Sequence, residues 1–319
     1  MRTLLYLIAL VPLLSFSQQT YVPDDAFEQA LIDLNIDPNP VLDDSVPTSI
    51  INSIAYIDIS NRQINDLTGI EDFTYLASLI CNNNNLFEID VSNNTMLAEL
   101  TCSFNYLTDL DISNNLELAR LACSDNMIAA LDISNNTILE YIDCHANNLS
   151  QIDVSNNLEL QQLNCSFNNL IEIDLSNNSI LENFSIEANS LSELNINNNA
   201  LLSYLDCSFN DLTQLSLINN SNLNFMFCND NNLSCIEVWN LNEVNYLEMI
   251  CDQGNAGCFR KDELCSWSLN CNYGSSIYES LINNPLLVRS FSLLGGNTIN
   301  TDFIFEVYED GSVKKYFHF

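Results

Sequence analysis

Cys81, Cys102, Cys123, Cys144 and Cys165 follow one another every 21 residues, and the same count reaches Ile186, Cys207 and Cys228. Two positions earlier the residue is always apolar, from Leu79, Leu100 and Leu121 through Ile142, Leu163 and Phe184 to Leu205 and Met226. Three positions later stands an asparagine: Asn84, Asn105, Asn126, Asn147, Asn168, Asn189, Asn210 and Asn231. Twelve positions later another recurs, from Asn93 and Asn114 to Asn219. A fixed period of this length means a solenoid, in which each repeat buries its apolar face only against its neighbours.

The unit reads LxxLxCxxNxLxxLDLSNNxxL and holds the same half twice. In each half the apolar residues alternate, which directs two side chains inward and their neighbours outward. The expected fold is a β-rich solenoid with two short parallel strands per 21-residue rung. Asparagine suits the corners, because it tolerates left-handed backbone and hydrogen-bonds the chain beside it. Stacked corner asparagines are expected to bond to one another from rung to rung. About nine rungs at roughly 4.8 Å each give a rod on the order of 43 Å long.

These residues resemble the leucine-rich repeats of secreted bacterial proteins, in the short 21-residue class. Residues 54–79, with IDISNRQINDLTGIEDFTYL, resemble the opening repeat of internalin-like proteins; Arg62 stands there in place of the corner asparagine. The resemblance covers roughly residues 20–271 and implies binding without naming a ligand. It also implies a cysteine-containing closing cap, with a Cys235–Cys271 disulfide. From spacing alone the pairing of Cys235, Cys251, Cys258, Cys265 and Cys271 stays open.

The flanks divide the rest of the chain. Residues 1–17 read as a secretory signal peptide: Arg2, an apolar run from Leu4 to Leu14, and small residues before Gln18. The mature chain has no later run long enough to span a membrane. Residues 18–53 form an N-terminal helical cap, with Asp25 and Glu28 as a capping-box-like start and Phe27, Leu31 and Leu34 on one face. The solenoid runs over 54–234 and the cysteine-rich cap over 235–271. In 272–319, Val288–Leu294, Phe303–Tyr308 and Val313–Phe319 read as strands, with Asp310-Gly311 as a hairpin turn. The stretch LVRSFSLLGG…FIFEVYEDGSVKKYFHF resembles the C-terminal sorting tail of the type IX system of Gram-negative bacteria. That resemblance implies export machinery as a partner and a secreted or outer-surface location. A small β cap on the rod is the alternative for these strands.

Composition narrows the partners. The chain carries 42 acidic and 8 basic residues, a formal net charge of −34. Clustered Lys and Arg for phosphate are lacking, which excludes nucleic acid, and anionic lipid equally. The cysteine column reads as core rather than as a metal or redox ladder, since Ile186 fills the same slot and a straight column offers no tetrahedral ligand set.

One outward column repeats: Asp90, Asp111, Asp132, Asp153 and Asp174. Carboxylates about 5 Å apart repel, and calcium would relieve this, although no recognised calcium loop is present. Calcium on this column is the one cofactor these residues suggest. Paired carboxylates also evoke a polysaccharide-degrading enzyme. Carboxylates copied at every rung mark a scaffold instead, and the two histidines, His145 and His318, are far apart in sequence. The expectation is a non-enzyme.

The other outward face varies from rung to rung. Around the cysteines it presents Arg120, Tyr141, Asp143, His145, Gln162, Asn164, Tyr204, Asp206, Phe225 and Phe227. Aromatic residues and arginine dominate binding hot spots, so this face is the candidate site for an extracellular protein or glycan. Phe104, Phe167 and Phe209, beside the corner asparagines, are expected to pack the corners. The alternative role for the whole chain is an acidic structural spacer, or surface-layer element, held by divalent cations.

Overall fold

The computed structural model describes residues 18–250, 258–271, 289–292, 302–307 and 313–318. The signal peptide expected at 1–17 and the hairpin turn expected at Asp310-Gly311 lie outside the described residues. The chain divides into two compact units, Met1–Leu269 and Asn270–Phe319.

The first unit opens with β1 (Gln19–Tyr21), α1 (Asp25–Asp33), β2 (Ser45–Pro47) and α2 (Thr48–Ile51). The helix start differs from the expected capping box. Asp24 is the N-cap, its carboxylate accepting from the N–H groups of Ala26 and Phe27 at 2.9 Å. Glu28 reaches away instead, and accepts from the N–H groups of Asp43 and Asp44 at 2.9 and 3.1 Å. It is fully buried, so it serves the following loop rather than its own helix end. Phe27 and Leu31 are buried as expected, while Leu34 ends the helix exposed. The cap touches the first rung at Gly69, where φ is 105° and a Cβ would come within 2.6 Å of the Tyr21 carbonyl oxygen. Arg62 pairs with Asp33 of α1, tying the atypical rung to the cap.

The solenoid follows. β3 (Tyr56–Asp58), β4 (Ser78–Ile80), β5 (Glu99–Thr101), β6 (Arg120–Ala122), β7 (Tyr141–Asp143), β8 (Gln162–Asn164), β9 (Asn183–Ser185), β10 (Tyr204–Asp206) and β12 (Phe225–Phe227) pair in parallel. β14 (Cys258–Arg260) completes the ten-stranded sheet, Phe259 lying opposite Met226. From β4 to β12 the register advances by 21 residues per strand, so each inward apolar residue stacks on the next: Leu100, Leu121, Ile142, Leu163. Every one of these is at most 2% exposed. Burial of each such side chain contributes about 1.5–3 kcal/mol, which is why the periodicity alone dictates the fold.

The expected second strand of each rung forms a ladder only near the end. There β11 (Leu215–Ser216), β13 (Cys235–Glu237) and β15 (Ser266–Ser268) pair in parallel. Earlier rungs keep Leu110, Ile112 and their equivalents buried, but asparagine side chains join them in place of strand bonds. Asn115 Nδ2 donates to the carbonyls of Val91 at 3.0 Å and Asn94 at 2.9 Å, and the pattern repeats from Asn136 through Asn220. Amides that satisfy the carbonyls leave no need for a ladder there.

Both asparagine expectations are therefore revised. In each Asn-Asn pair of the Asp half the second residue, one position beyond Asn93 or Asn114, is the buried one. Nor do the corner asparagines bond to one another. Asn105 Nδ2 donates to the carbonyls of Cys81 and Cys102 at 3.1 and 3.0 Å, and its Oδ1 accepts from the Leu86 N–H at 3.1 Å. The side-chain amide is thus taken up by backbone groups of its own and the preceding rung.

The closing cap packs Phe259, fully buried, between Trp239 and Trp267 at ring separations of 6.2 and 6.0 Å. Helix α3 (Leu241–Ile250) supplies Glu243, which accepts from Trp239 Nε1 at 2.9 Å. Cys235 and Cys271 are joined in a disulfide. The second unit is a three-stranded antiparallel sheet of β16 (Arg289–Ser292), β17 (Asp302–Val307) and β18 (Val313–His318), in the order expected from the sequence.

Candidate ligand-binding face

The varied residues stand on the outward side of the ten-stranded sheet. One row runs Arg120, Tyr141, Gln162, Asn183, Tyr204, Phe225 across β6 to β12. A second runs Ala122, Asp143, Asn164, Ser185, Asp206, Phe227. The leucines between them point inward, which fixes these side chains outward with no further instruction from the sequence.

Two clusters form on this surface. In the first, the Arg120 guanidinium lies 3.7 Å from the Tyr141 ring centre, and Arg120 Nε is 3.4 Å from Glu99. A cation over an aromatic face contributes about 0.5–1 kcal/mol at an exposed site. His145 sits between Asp143 at 3.0 Å and Asp125 at 3.1 Å. In the second cluster, Tyr204 meets the rings of Phe225 and Phe227 at 6.4 and 6.0 Å. Asp206 accepts from the Ser208 N–H at 3.0 Å and from its hydroxyl. Burial pushes the phenols of Tyr141 and Tyr204 above their ordinary value, and the neighbouring carboxylates Asp143 and Asp206 add to it. Burial raises Glu187 too, again beside Asp206.

Between the clusters lies a depression of about 250 Å³, lined by Tyr141, Gln162, Asn164, Asn183, Ser185 and Tyr204. Asn183 and Ser185 escape a cysteine-anchored reading, because their rung carries Ile186 in the cysteine slot. Counting 21 residues from Gln162 and Asn164 would have found both.

The Asp column projects from the opposite half of the rungs. Asp111 Oδ1 accepts from the Ser113 N–H at 2.9 Å, and the same contact recurs at Asp90, Asp132, Asp153 and Asp174. Hydrogen bonds from these serines hold all five carboxyls below the usual value. Each aspartate closes its own turn, which accounts for the repetition. Asp132, Asp153, Asp174 and Glu172 line a depression of about 760 Å³. Elsewhere, among the described residues, Asp25, Glu28 and Asp44 bring carboxylate oxygens within 4.8 Å of one another. The backbone N–H groups of Asp43 and Asp44 already bond to Glu28 in that cluster.

The cysteine column is fully buried and unpaired from Cys81 to Cys228. Cys81 Sγ donates to the Thr101 carbonyl at 3.5 Å and Cys144 Sγ to that of Asn164, also at 3.5 Å. Burial pushes the Cys81 thiol up to about 12 and the others above their ordinary value too. Inert thiols are the opposite of what a nucleophile requires.

Phe104, Phe167 and Phe209 depart from expectation. Each is about half exposed, at 51–53%, and each has positive φ, between 53° and 57°. The corner turn demands left-handed backbone at this position, and that geometry throws the ring outward instead of into the corner. Phe87 and Tyr106 stack beside this edge at 5.3 Å.

No protein-family model matches the chain, and no curated protein does. Solved structures do. The functional domain of InlJ from Listeria monocytogenes, described as including a cysteine ladder, aligns at a TM-score of 0.59 and 27% identity. That alignment covers 78% of this chain and 62% of the InlJ structure, so the chain spans less than two thirds of it. Internalin C2 from the same organism aligns at 0.53 and 20% identity, over 70% of this chain and 99% of the other. With about nine turns of 21 residues on one parallel sheet, the chain has the leucine-rich-repeat fold of the internalins.

Proposed function

We propose that this chain is a non-catalytic recognition protein of the cell surface or extracellular space, binding its ligand through the outward face of the ten-stranded sheet. One observation carries the reading. Along the Asp half the same aspartate recurs over five rungs, whereas the sheet half changes its outward residues from rung to rung. It concentrates Arg120, Tyr141, His145, Tyr204, Phe225 and Phe227 on one rigid surface. The Asp half repeats because each aspartate holds its own turn. The internalin fold supports a protein-binding role, and a preformed sheet keeps the ordering cost of binding low. Export follows from the leader at 1–17 and the sorting-tail resemblance of 272–319. N-terminal sequencing of the exported protein should begin at Gln18.

The test is binding of the full-length chain to a panel of extracellular proteins and glycans, beside the Tyr141→Ala/His145→Ala/Tyr204→Ala variant. Binding lost in the variant with unchanged circular dichroism supports the reading. Binding that survives all three substitutions removes this face from consideration.

A second reading, an acidic spacer held by calcium, rests on the Asp132, Asp153, Asp174 and Glu172 depression. It expects the melting midpoint to rise with calcium and fall with chelator, since a ligand of the folded state stabilises it by mass action. An unchanged midpoint sinks it.

A further inference from the structure

We infer that the depression between Tyr141 and Tyr204 takes a neutral, hydroxyl-rich oligosaccharide lying along the solenoid axis; this rests on the recognition reading above. The four strands involved run Tyr141-Ile142-Asp143, Gln162-Leu163-Asn164, Asn183-Phe184-Ser185 and Tyr204-Leu205-Asp206. The two outer strands carry the same outward pair, tyrosine and aspartate. The two inner strands carry only amides and a hydroxyl. In a chain with a formal charge of −34, two adjacent strands whose outward residues carry no charge make an unusual floor.

Each part of the depression has a chemistry that a sugar matches. Amides and hydroxyls both donate and accept, as sugar hydroxyls do, whereas a floor of carboxylates would only accept. Among the described residues no hydrogen bond engages the side-chain amides of Gln162 or Asn183, which leaves their capacity for a ligand. Asn164 Oδ1 accepts from the Ser166 N–H at 3.2 Å, and the Ser185 hydroxyl pairs with that of Ser166 at 2.7 Å, so these floor groups are held in place. The tyrosine rings offer apolar faces to the C–H faces of pyranose rings.

Length agrees as well. Neighbouring strands lie about 4.8 Å apart, so Tyr141 and Tyr204, three strands apart, are separated by roughly 14 Å. One rung spans nearly the length of one extended pyranose unit, and a short oligosaccharide therefore keeps step with the sheet. Charge selects among sugars. Asp143 and Asp206 stand at the two ends, engaged by His145 and Ser208, and repel uronate or sulfate groups.

The experiment is calorimetric titration of the full-length chain with short neutral oligosaccharides (gluco-, manno- and N-acetylgluco-), beside uronate-containing, sulfated and amino-sugar counterparts. The expected result is binding to a neutral series. It weakens at least about ten-fold in Tyr204→Ala and in Asn183→Leu, and is largely retained in Tyr204→Phe. Thermal melts identify any variant that fails to fold, and Tyr204→Phe keeps the test open in that event. Binding confined to anionic or cationic sugars overturns the inference, as does neutral-sugar binding that neither variant weakens. If no oligosaccharide binds but a protein is held through Tyr141, His145 and Tyr204, the inference falls and the recognition reading stands. If nothing binds, both fall.

Discussion

The side-chain amide of Asn147 donates to the Cys123 carbonyl of the preceding rung at 3.0 Å. The same nitrogen donates to the Cys144 carbonyl of its own rung at 3.1 Å, while Oδ1 accepts from the Ile128 N–H at 2.9 Å. With a further bond from Nδ2 to the His145 carbonyl at 3.2 Å, one side chain thus satisfies four backbone groups across two rungs. Leaving a buried polar group unpaired costs about 1–3 kcal/mol. Asn147→Ala is therefore expected to destabilise the solenoid by about 2–4 kcal/mol, read as a drop in denaturant midpoint. An effect within a few tenths of a kcal/mol would show that water replaces the amide at no cost.

Phe167 is half exposed at φ 53°, in a backbone region that disfavours bulky residues and favours asparagine. The same column holds Asn83 and Asp125 at φ 57° and 52°. Phe167→Asn should raise stability by about 0.5–1 kcal/mol, the reverse of Phe184→Ala in the core, which should cost about 3–5 kcal/mol. A loss at Phe167 similar to that at Phe184 would mean the ring packs after all.

The thiol column sets an alkaline limit. Burial raises Cys81 from 9.0 to about 12, and its neighbours rise too. A group whose folded value is raised holds its full stabilisation below the unfolded value and loses it as pH climbs toward the folded one. Between pH 9 and about 12 each column thiol should cost up to about 1.4 kcal/mol per pH unit, because only the unfolded chain ionises. Midpoints measured across this range should fall steeply. Cys102→Ala and Cys123→Ala together should flatten the slope while lowering the neutral-pH midpoint. A pH-independent midpoint would contradict the buried thiols.

The Asp column acts at the other end of the scale. Ser113, Ser134 and Ser155 hold Asp111, Asp132 and Asp153 below the ordinary carboxylate value. Their stabilisation is present above the unfolded value near 3.8 and is lost as pH falls through the lower folded value. Asp132→Asn keeps the acceptor for the Ser134 N–H, so at neutral pH the midpoint should change little. Its acid limb should shift to lower pH. Equal acid limbs in the variant and the parent would remove this column from the acid response.

Twenty-one-residue spacing fixes what faces inward, and hence the sheet, the core and the outward rows that make the candidate face. That much is arithmetic on Leu100, Cys102 and Leu107, and it extends to Asn183 and Ser185 when the count ignores the missing cysteine. Hydrogen-bond partners at the corners were not legible. Asn93 and Asn94 are the same letter, and only the path of the chain buries the second. Asp24 rather than Asp25 caps α1, and Glu28 serves a loop of the following segment, because the returning chain brings its N–H groups within reach. Phe167 points outward because the turn beside Asn168 requires positive φ, a demand that outweighs its hydrophobicity. Side-chain period is a local property and survives in the sequence. Partnership depends on which backbone groups the neighbouring rung leaves unsatisfied, and only the stacked structure decides that.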